Sequence, residues 1–185
     1  MVRELRSTAA ALALLIVLVG QSAQAYSFAA GDWLLRPIAG WSVNVVRGQT
    51  EGSESPSSGM LLGVDAEYAV DRYFGVTMGV HPNFASGFID TALLGGVKYR
   101  FAYWEMPFVP YVETGVTLAF LAPLTAEHEL HTNLGVRPAI GFDYFVLHDL
   151  AIGFAVAVEP SVAFAQTANQ FELAVELALG IAWRL

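Results

Sequence analysis

The sequence predicts an all-β protein, an eight-stranded antiparallel up-and-down transmembrane β-barrel preceded by a cleaved signal peptide. Three observations predict it. The chain is oily, with 55% hydrophobic and only 14% charged residues, yet beyond residue 25 no apolar run approaches the roughly 20 residues of a spanning helix. Its bulky apolar residues instead recur at every second position along successive stretches, which is the period of a strand. Opposite each bulky face lies a face that mixes Gly and Ala with charged residues. A soluble sheet shows large residues to its core and mid-sized polar residues to water. Here the small, charged face must be a cramped interior and the large face must meet oil, as in a closed membrane sheet.

Taken in order, the chain begins with Arg3 and Arg6, an apolar run from Ala9 to Val19, and Ala23-Gln24-Ala25. A basic region, a short apolar core and an A-x-A site read as a secretory signal peptide over 1–25, with residues 26–185 as the barrel domain. Removing it takes two of the nine basic residues and one of the seventeen acidic ones, which leaves a formal charge of −9. That balance argues against nucleic acid as a partner and against polybasic docking to anionic lipid. The absence of cysteine excludes a lipoprotein anchor, disulfides, thiol catalysis and Cys-ligated metals.

Eight strands are expected. Residues 32–46 set Trp33, Leu35, Trp41 and Val43 against Leu34, Arg36, Ser42 and Asn44. A polar Gly/Ser-rich loop occupies 47–58. Residues 60–70 set Leu62, Val64 and Tyr68 against Asp65 and Glu67. A tight turn at Val70–Tyr73 leads to 74–82, where Phe74, Val76 and Met78 oppose Gly75, Thr77 and His81. After a loop at 83–90, strand 91–101 turns Leu93, Val97 and Tyr99 away from Lys98 and Arg100. A turn at 102–107 precedes 108–120, with Val112 and Val116 against Glu113 and Gly115. The loop 121–131 is followed by 132–144, with Leu134, Val136 and Ile140 against Arg137 and Asp143. A turn at His148-Asp149 leads to 150–161, with Ile152, Phe154 and Val156 against Ala155 and Glu159. A loop at 162–170 reaches the last stretch, 171–185. Four longer loops alternate with three tight turns, so the turns share one end, expected to be periplasmic, with both termini. Aromatic residues gather at both ends, as interfacial belts do.

The last stretch shows the alternation most clearly. Phe171, Leu173, Val175, Leu177, Leu179, Ile181, Trp183 and Leu185 oppose Glu172, Ala174, Glu176, Ala178, Gly180, Ala182 and Arg184. Its ending, Gly180, Trp183 and Leu185, resembles the C-terminal signal of bacterial outer-membrane barrels, with two departures: Leu185 stands where Phe or Trp is usual, and Ala178 where a polar residue is usual. Over the mature length the pattern resembles the eight-stranded family typified by the OmpA barrel domain, OmpX and OmpW-like proteins. The resemblance implies an outer-membrane location with periplasmic termini, contact with outer-membrane lipid and lipopolysaccharide, delivery by the barrel-insertion machinery through the last strand, and a monomer.

Chemistry is sparse. His128-Glu-Leu-His131 falls short of the zinc protease motif, which needs its second His four residues after the first, where Thr132 stands. The loop 47–58 lacks the Lys-Ser/Thr of a phosphate loop. The His-x-Ser pair of outer-membrane lipid A deacylases does not occur. No catalytic residue, cofactor or metal is therefore expected. The candidate site is the inward charge set: Arg36, Asp65, Glu67, Lys98, Arg100, Glu113, Arg137, Asp143, Glu159, Glu172, Glu176 and Arg184. An eight-stranded barrel is only wide enough inside for side chains, so these residues are expected to form a paired polar plug. Near the periplasmic end Arg36, Lys98, Arg100 and Arg184 are expected to meet Glu67 and Asp143, with Arg36 close to Glu67, and at mid-height Arg137 is expected near Glu113. The leading functional expectation is a structural or surface-interaction role through exposed loops, with any ligand or surface met at 47–58 and 121–131. The alternative is a narrow channel for small or hydrophobic solutes. A lipid-modifying enzyme and a soluble lipocalin-like binder rank lower, the latter because its bulky face would point inward.

Overall fold

The computed structural model describes residues 28–47, 58–85, 88–102, 106–123, 131–164 and 170–185. The expected signal peptide, most of the expected loop at 47–58 and residues 124–130 of the expected loop at 121–131 lie outside them, whereas 121–123 and His131 are paired in the sheet. Nine antiparallel segments form one sheet: β1 Trp33–Arg47, β2 Ser58–Ala69, β3 Phe74–Ala85, β4 Phe88–Arg100, β5 Phe108–Pro123, β6 His131–Val136, β7 Ala139–Leu147, β8 Leu150–Phe164 and β9 Gln170–Arg184. Each segment pairs with its neighbours in sequence, except that β6 and β7 both lie between β5 and β8, and β1 pairs with β9. The sheet therefore closes with no free edge. Closure leaves every strand with a partner on each side, which is how a sheet satisfies its backbone in oil.

The expected sixth strand, 132–144, is split in two, and Pro138 is the cause. Gly135 faces Ser161 and Ala139 faces Ala157, so the register is unchanged across the gap. Proline has no N–H to give the ladder and is confined to places that can spare it. The flanking groups hold the two pieces in line: the Arg137 N–H donates to the Gly115 carbonyl at 2.8 Å, and the Val158 N–H donates to the Pro138 carbonyl at 3.0 Å. Functionally β6 and β7 are one stave, and the barrel has eight staves.

A second difference concerns the strand ends. The loop expected at 83–90 is mostly strand: Asn83 faces Asp90 and Phe84 faces Ile89, leaving only 86–87 between β3 and β4. Gly, Pro and Asn in 82–88 signal a loop when read locally. The neighbouring strands override them, because a barrel wall extends as long as its partners offer hydrogen bonds.

The faces sort as the alternation requires. Trp41, Val76, Met78, Ile140, Leu177 and Leu179 are exposed on the outer face, while Leu34, Leu61, Thr77, Lys98, Tyr111 and Thr117 are buried inside. Rings cluster on the outer face at the short-turn end, with centroids 5.2 Å apart for Trp33 and Tyr68, 4.9 Å for Phe74 and Tyr99, and 5.2 Å for Tyr99 and Phe101. Phe145, which belongs to this end by position, points inward and is 3% exposed. It packs edge-on against Phe28 at 5.5 Å.

Phe28 precedes the first strand and closes the short-turn mouth. It is buried with Leu34, Ala102, Val109, Phe145, Ala151 and Ala182. Gly31 makes the fold-back available, with φ at 99°, a conformation costly for any side chain. The Gly31 N–H donates to the Ala69 carbonyl at 2.9 Å, and the Ala69 N–H donates to the Asp32 carbonyl at 2.8 Å. Asp32 Oδ2 also accepts the Ala29 N–H at 2.9 Å.

The outer-face assignment has a measurable consequence. Leu177→Arg should destabilise the barrel by about 2–4 kcal/mol if it lies near the bilayer midplane. Ala155→Ser, on the inner face, should cost much less. Unfolding titrations in lipid vesicles read both, and equal effects would invert the faces.

Candidate functional site: the barrel interior

The inner faces of the eight staves converge on a lumen too narrow for solvated ions, so buried charges must find partners across it. The lower layer, just above the Phe28 cluster, is built on three cations. Arg36 on β1 donates through Nη2 to both oxygens of Asp143 on β7, at 2.9 and 2.7 Å. Its Nη1 lies 3.3 Å from the Tyr111 hydroxyl. Lys98 on β4 donates to Glu67 at 3.0 Å, lies 3.4 Å from Glu113, and sits 4.3 Å from the centre of the Tyr111 ring. Arg100 also pairs with Glu67, and its guanidinium lies 3.9 Å over the Phe28 ring.

Small residues make room for this layer. A Cβ on Gly180 would stand 2.8 Å from Arg36 Cγ and 3.0 Å from Ile38 Cγ2. A Cβ on Gly153 would stand 2.5 Å from Asp143 Oδ1. The glycine of the C-terminal motif therefore has a steric duty inside the barrel: it lets the stem of Arg36 cross β9. Trp183 and Leu185 of the same motif lie exposed on the outer face.

The middle layer holds Asp65, Glu113 and Arg137. His81 Nε2 lies 2.6 Å from Asp65 Oδ1. Thr77 donates to Glu113 at 3.1 Å. Arg137 donates through Nε to Glu176 on β9 at 2.7 Å. Above them, Thr117 donates to Glu159 at 2.8 Å and Asn133 donates to Glu172 at 3.1 Å. Arg184, expected in the lower layer with Glu67 and Asp143, belongs to neither layer. It sits at the short-turn rim, 3.6 Å from Asp32 and 3.2 Å from Asp149.

Two expected pairings are corrected. Arg36 meets Asp143 instead of Glu67, and Arg137 meets Glu176 instead of Glu113. Both expectations came from unrolling the sheet and pairing residues on adjacent strands. In the closed barrel Arg36 spans the lumen to a stave that is not its neighbour. Glu67 is then taken by Lys98 and Arg100, and Glu113 by Lys98 and Thr77.

The candidate set left out Thr77, Tyr111, Thr117, Asn133 and His81, which hold the charges in place, and Asp90, which lines the larger cavity. All but Asp90 have inward parity within an expected strand, which was the available signal. Asp90 was hidden in the expected loop. His128 lies outside the described residues.

Two cavities flank the middle layer. The smaller, about 350 Å³ including its open part, is lined by Arg36, Asp65, Tyr111, Glu113 and Arg137 among others. The larger, about 830 Å³ including its open part, lies in the half toward the ends that lead to 48–57, 86–87, 124–130 and 165–169.

This architecture is that of the small bacterial outer-membrane β-barrels. OprG from Pseudomonas aeruginosa superimposes with a TM-score of 0.63 at 14% identity, covering 86% of this chain and 98% of that one. Neisserial surface protein A superimposes at 0.64 and 14% identity, over 85% and 99%. The N-terminal barrel of Pseudomonas aeruginosa OprF gives 0.59 at 9% identity, over 84% and 100%. No family model and no curated protein matches the sequence. The likeness is one of fold.

The observed pairing can be told from the expected one by rescue. Arg137→Ala should destabilise by about 3–5 kcal/mol, because it strands a buried carboxylate. Adding Glu176→Gln should recover part of that loss, whereas adding Glu113→Gln should not. Denaturant unfolding of the purified barrel in micelles measures all three. Rescue by Glu113→Gln alone would reinstate the sequence-based pair.

Proposed function

We propose that this protein is a small barrel of the bacterial outer membrane, closed to bulk flux, whose specific work is done on the surface formed by its longer loops. The observation that supports it most is the two-tier filling of the lumen. The apolar cluster around Phe28 occupies the short-turn mouth. Directly above it, Arg36–Asp143 spans the lumen and Lys98/Arg100–Glu67 bridge β4 and β2 over β3, and the members of these pairs are almost fully buried. A solute passing through would have to break pairs that are costly to separate in a dry interior. The apolar outer face and its aromatic belt support a lipid environment. Lipopolysaccharide contact, entry through the insertion machinery by way of β9, periplasmic termini, cleavage of 1–25 and a monomeric state complete this reading. It assigns the protein no catalytic step.

The narrow-channel reading is favoured by one observation, the larger cavity in the loop half. It would require a path past both lower tiers, and those tiers favour the closed barrel.

Two measurements test the proposal. Planar-bilayer recording of the purified protein should show no steady conductance of porin size, and such a conductance would refute closure. In whole cells, an external protease should cut within 47–58, whose Gly, Ser and acidic content leaves little to bury. Cutting only after the cells are permeabilised would reverse the topology.

A further inference from the structure

Phe28 is held in a way that the closed-barrel reading does not require. Within residues 28–32 it alone is buried, while Ala29, Ala30 and Gly31 are exposed. The segment therefore grips the barrel by one ring. That ring enters a cup lined by Ala102, Ala151 and Ala182 with Leu34, Val109 and Phe145. Ala151 stands directly opposite Ala182 on the next strand. Alanines at these inward positions do not fill the mouth from the wall, so a side chain from outside the strands fills it.

The backbone bonds of the segment fall into two sets, with Gly31 between them. On the free side, the Ala29 N–H donates to Asp32 Oδ2 at 2.9 Å, the Asp32 N–H donates to the Ala29 carbonyl at 3.2 Å, and the Gly31 N–H donates to the Ala69 carbonyl at 2.9 Å. All three lie along an exposed stretch, where water can replace them. On the wall side, the Ala69 N–H donates to the Asp32 carbonyl at 2.8 Å, a bond that does not involve residues 28–31. Gly31 has φ at 99°, and a Cβ there would meet nothing within 4 Å. Glycine is therefore needed for the fold-back itself and not for space.

The charge beneath the ring opposes its burial. Arg100 is 0% exposed, with its guanidinium 3.9 Å from the Phe28 ring centre. Its Nε and Nη1 have no acceptor among the described residues. Buried donors without acceptors are costly, and departure of the ring lets water reach them. The closed arrangement gains the buried ring and its contact with the cation. The open one gains hydration of the guanidinium.

We propose that residues 28–31 form a hinged stopper, which swings out on Gly31 and admits water to the short-turn mouth as far as Arg100. Behind it Arg36–Asp143 and Lys98–Glu67 stay joined, so the barrel remains closed to flux. This goes beyond the closed-barrel reading, which needs the mouth filled but not a filling that moves. Conductance tests that reading, and water access to the cup tests this one.

The chain has no cysteine, so one introduced thiol reports on the cup. Ala182→Cys in the mature barrel, in zwitterionic micelles, is reacted with sulfonatoethyl methanethiosulfonate, with Ala151→Cys as a second reporter should the first fail to fold. The expected result is slow but complete labelling while gel migration stays that of the folded barrel. Adding Phe28→Ala should speed labelling at least tenfold. Adding Gly31→Ala should speed it at least threefold, because alanine disfavours the φ of the closed arrangement. Ala139→Cys, which lines the smaller cavity beyond the ion layer, should label at the same rate in all three backgrounds. A cup thiol that never reacts in the folded barrel would mean a fixed plug. Labelling unchanged by Gly31→Ala would remove the hinge, and equal acceleration at Ala139→Cys would mean that the whole barrel loosens. Each of these results would overturn the proposal.

Discussion

Ring closure through the β1–β9 ladder is the constraint on which the rest of this structure depends. Once the first and last strands pair, the backbone is satisfied on every side and the outer face is free to be apolar. Closure at eight staves also fixes the width of the lumen. That width decides what the interior can be: too narrow for hydrated charge, wide enough for long side chains to meet at the centre. The cross-lumen pairs, the small residues beside them and the folded-back N-terminal segment all follow from this single dimension.

The interior is graded along the barrel axis. At the short-turn end it is apolar, where Phe28 and Phe145 meet among Leu34 and Val109. Next comes a layer in which three cations share Asp143, Glu67 and Glu113. Farther up, Asp90, Glu159, Glu172 and Glu176 line the lumen, and Arg137 pairs with Glu176. A barrel that needed only to be filled could pair its charges evenly. The lower half does so, with Arg36, Lys98 and Arg100 against Asp143, Glu67 and Glu113.

Prolines show how the wall tolerates local defects. Pro138 breaks the ladder within one stave without shifting its register, because Arg137 and Val158 bridge the gap with their own N–H groups. Pro82 sits where the β2–β3 pairing lapses between Leu61–Asn83 and Val64–Val80, again with the register intact. Isolated hairpins would slip or fray at such positions. In a closed ring each strand is held from both sides, so a missing donor costs a bond and does not cost alignment.

The alternation of bulky and small residues determined the fold class, the stave count and which side chains point inward. Period 2 is a local property, and a residue's parity along its strand does not depend on what lies across the barrel. The same rule placed Arg36, Lys98, Arg137 and Glu176 inside before any contact was known. It did not decide who pairs with whom. Arg36 with Asp143 and Arg137 with Glu176 are contacts between staves far apart in sequence or across the closure, and only the width and shear of the finished ring bring them together. The strand at 83–90 and the placement of Asp90 on its inner face have the same origin. Each depends on partners that the chain reaches only when the sheet closes, so local composition pointed elsewhere and the tertiary structure decided.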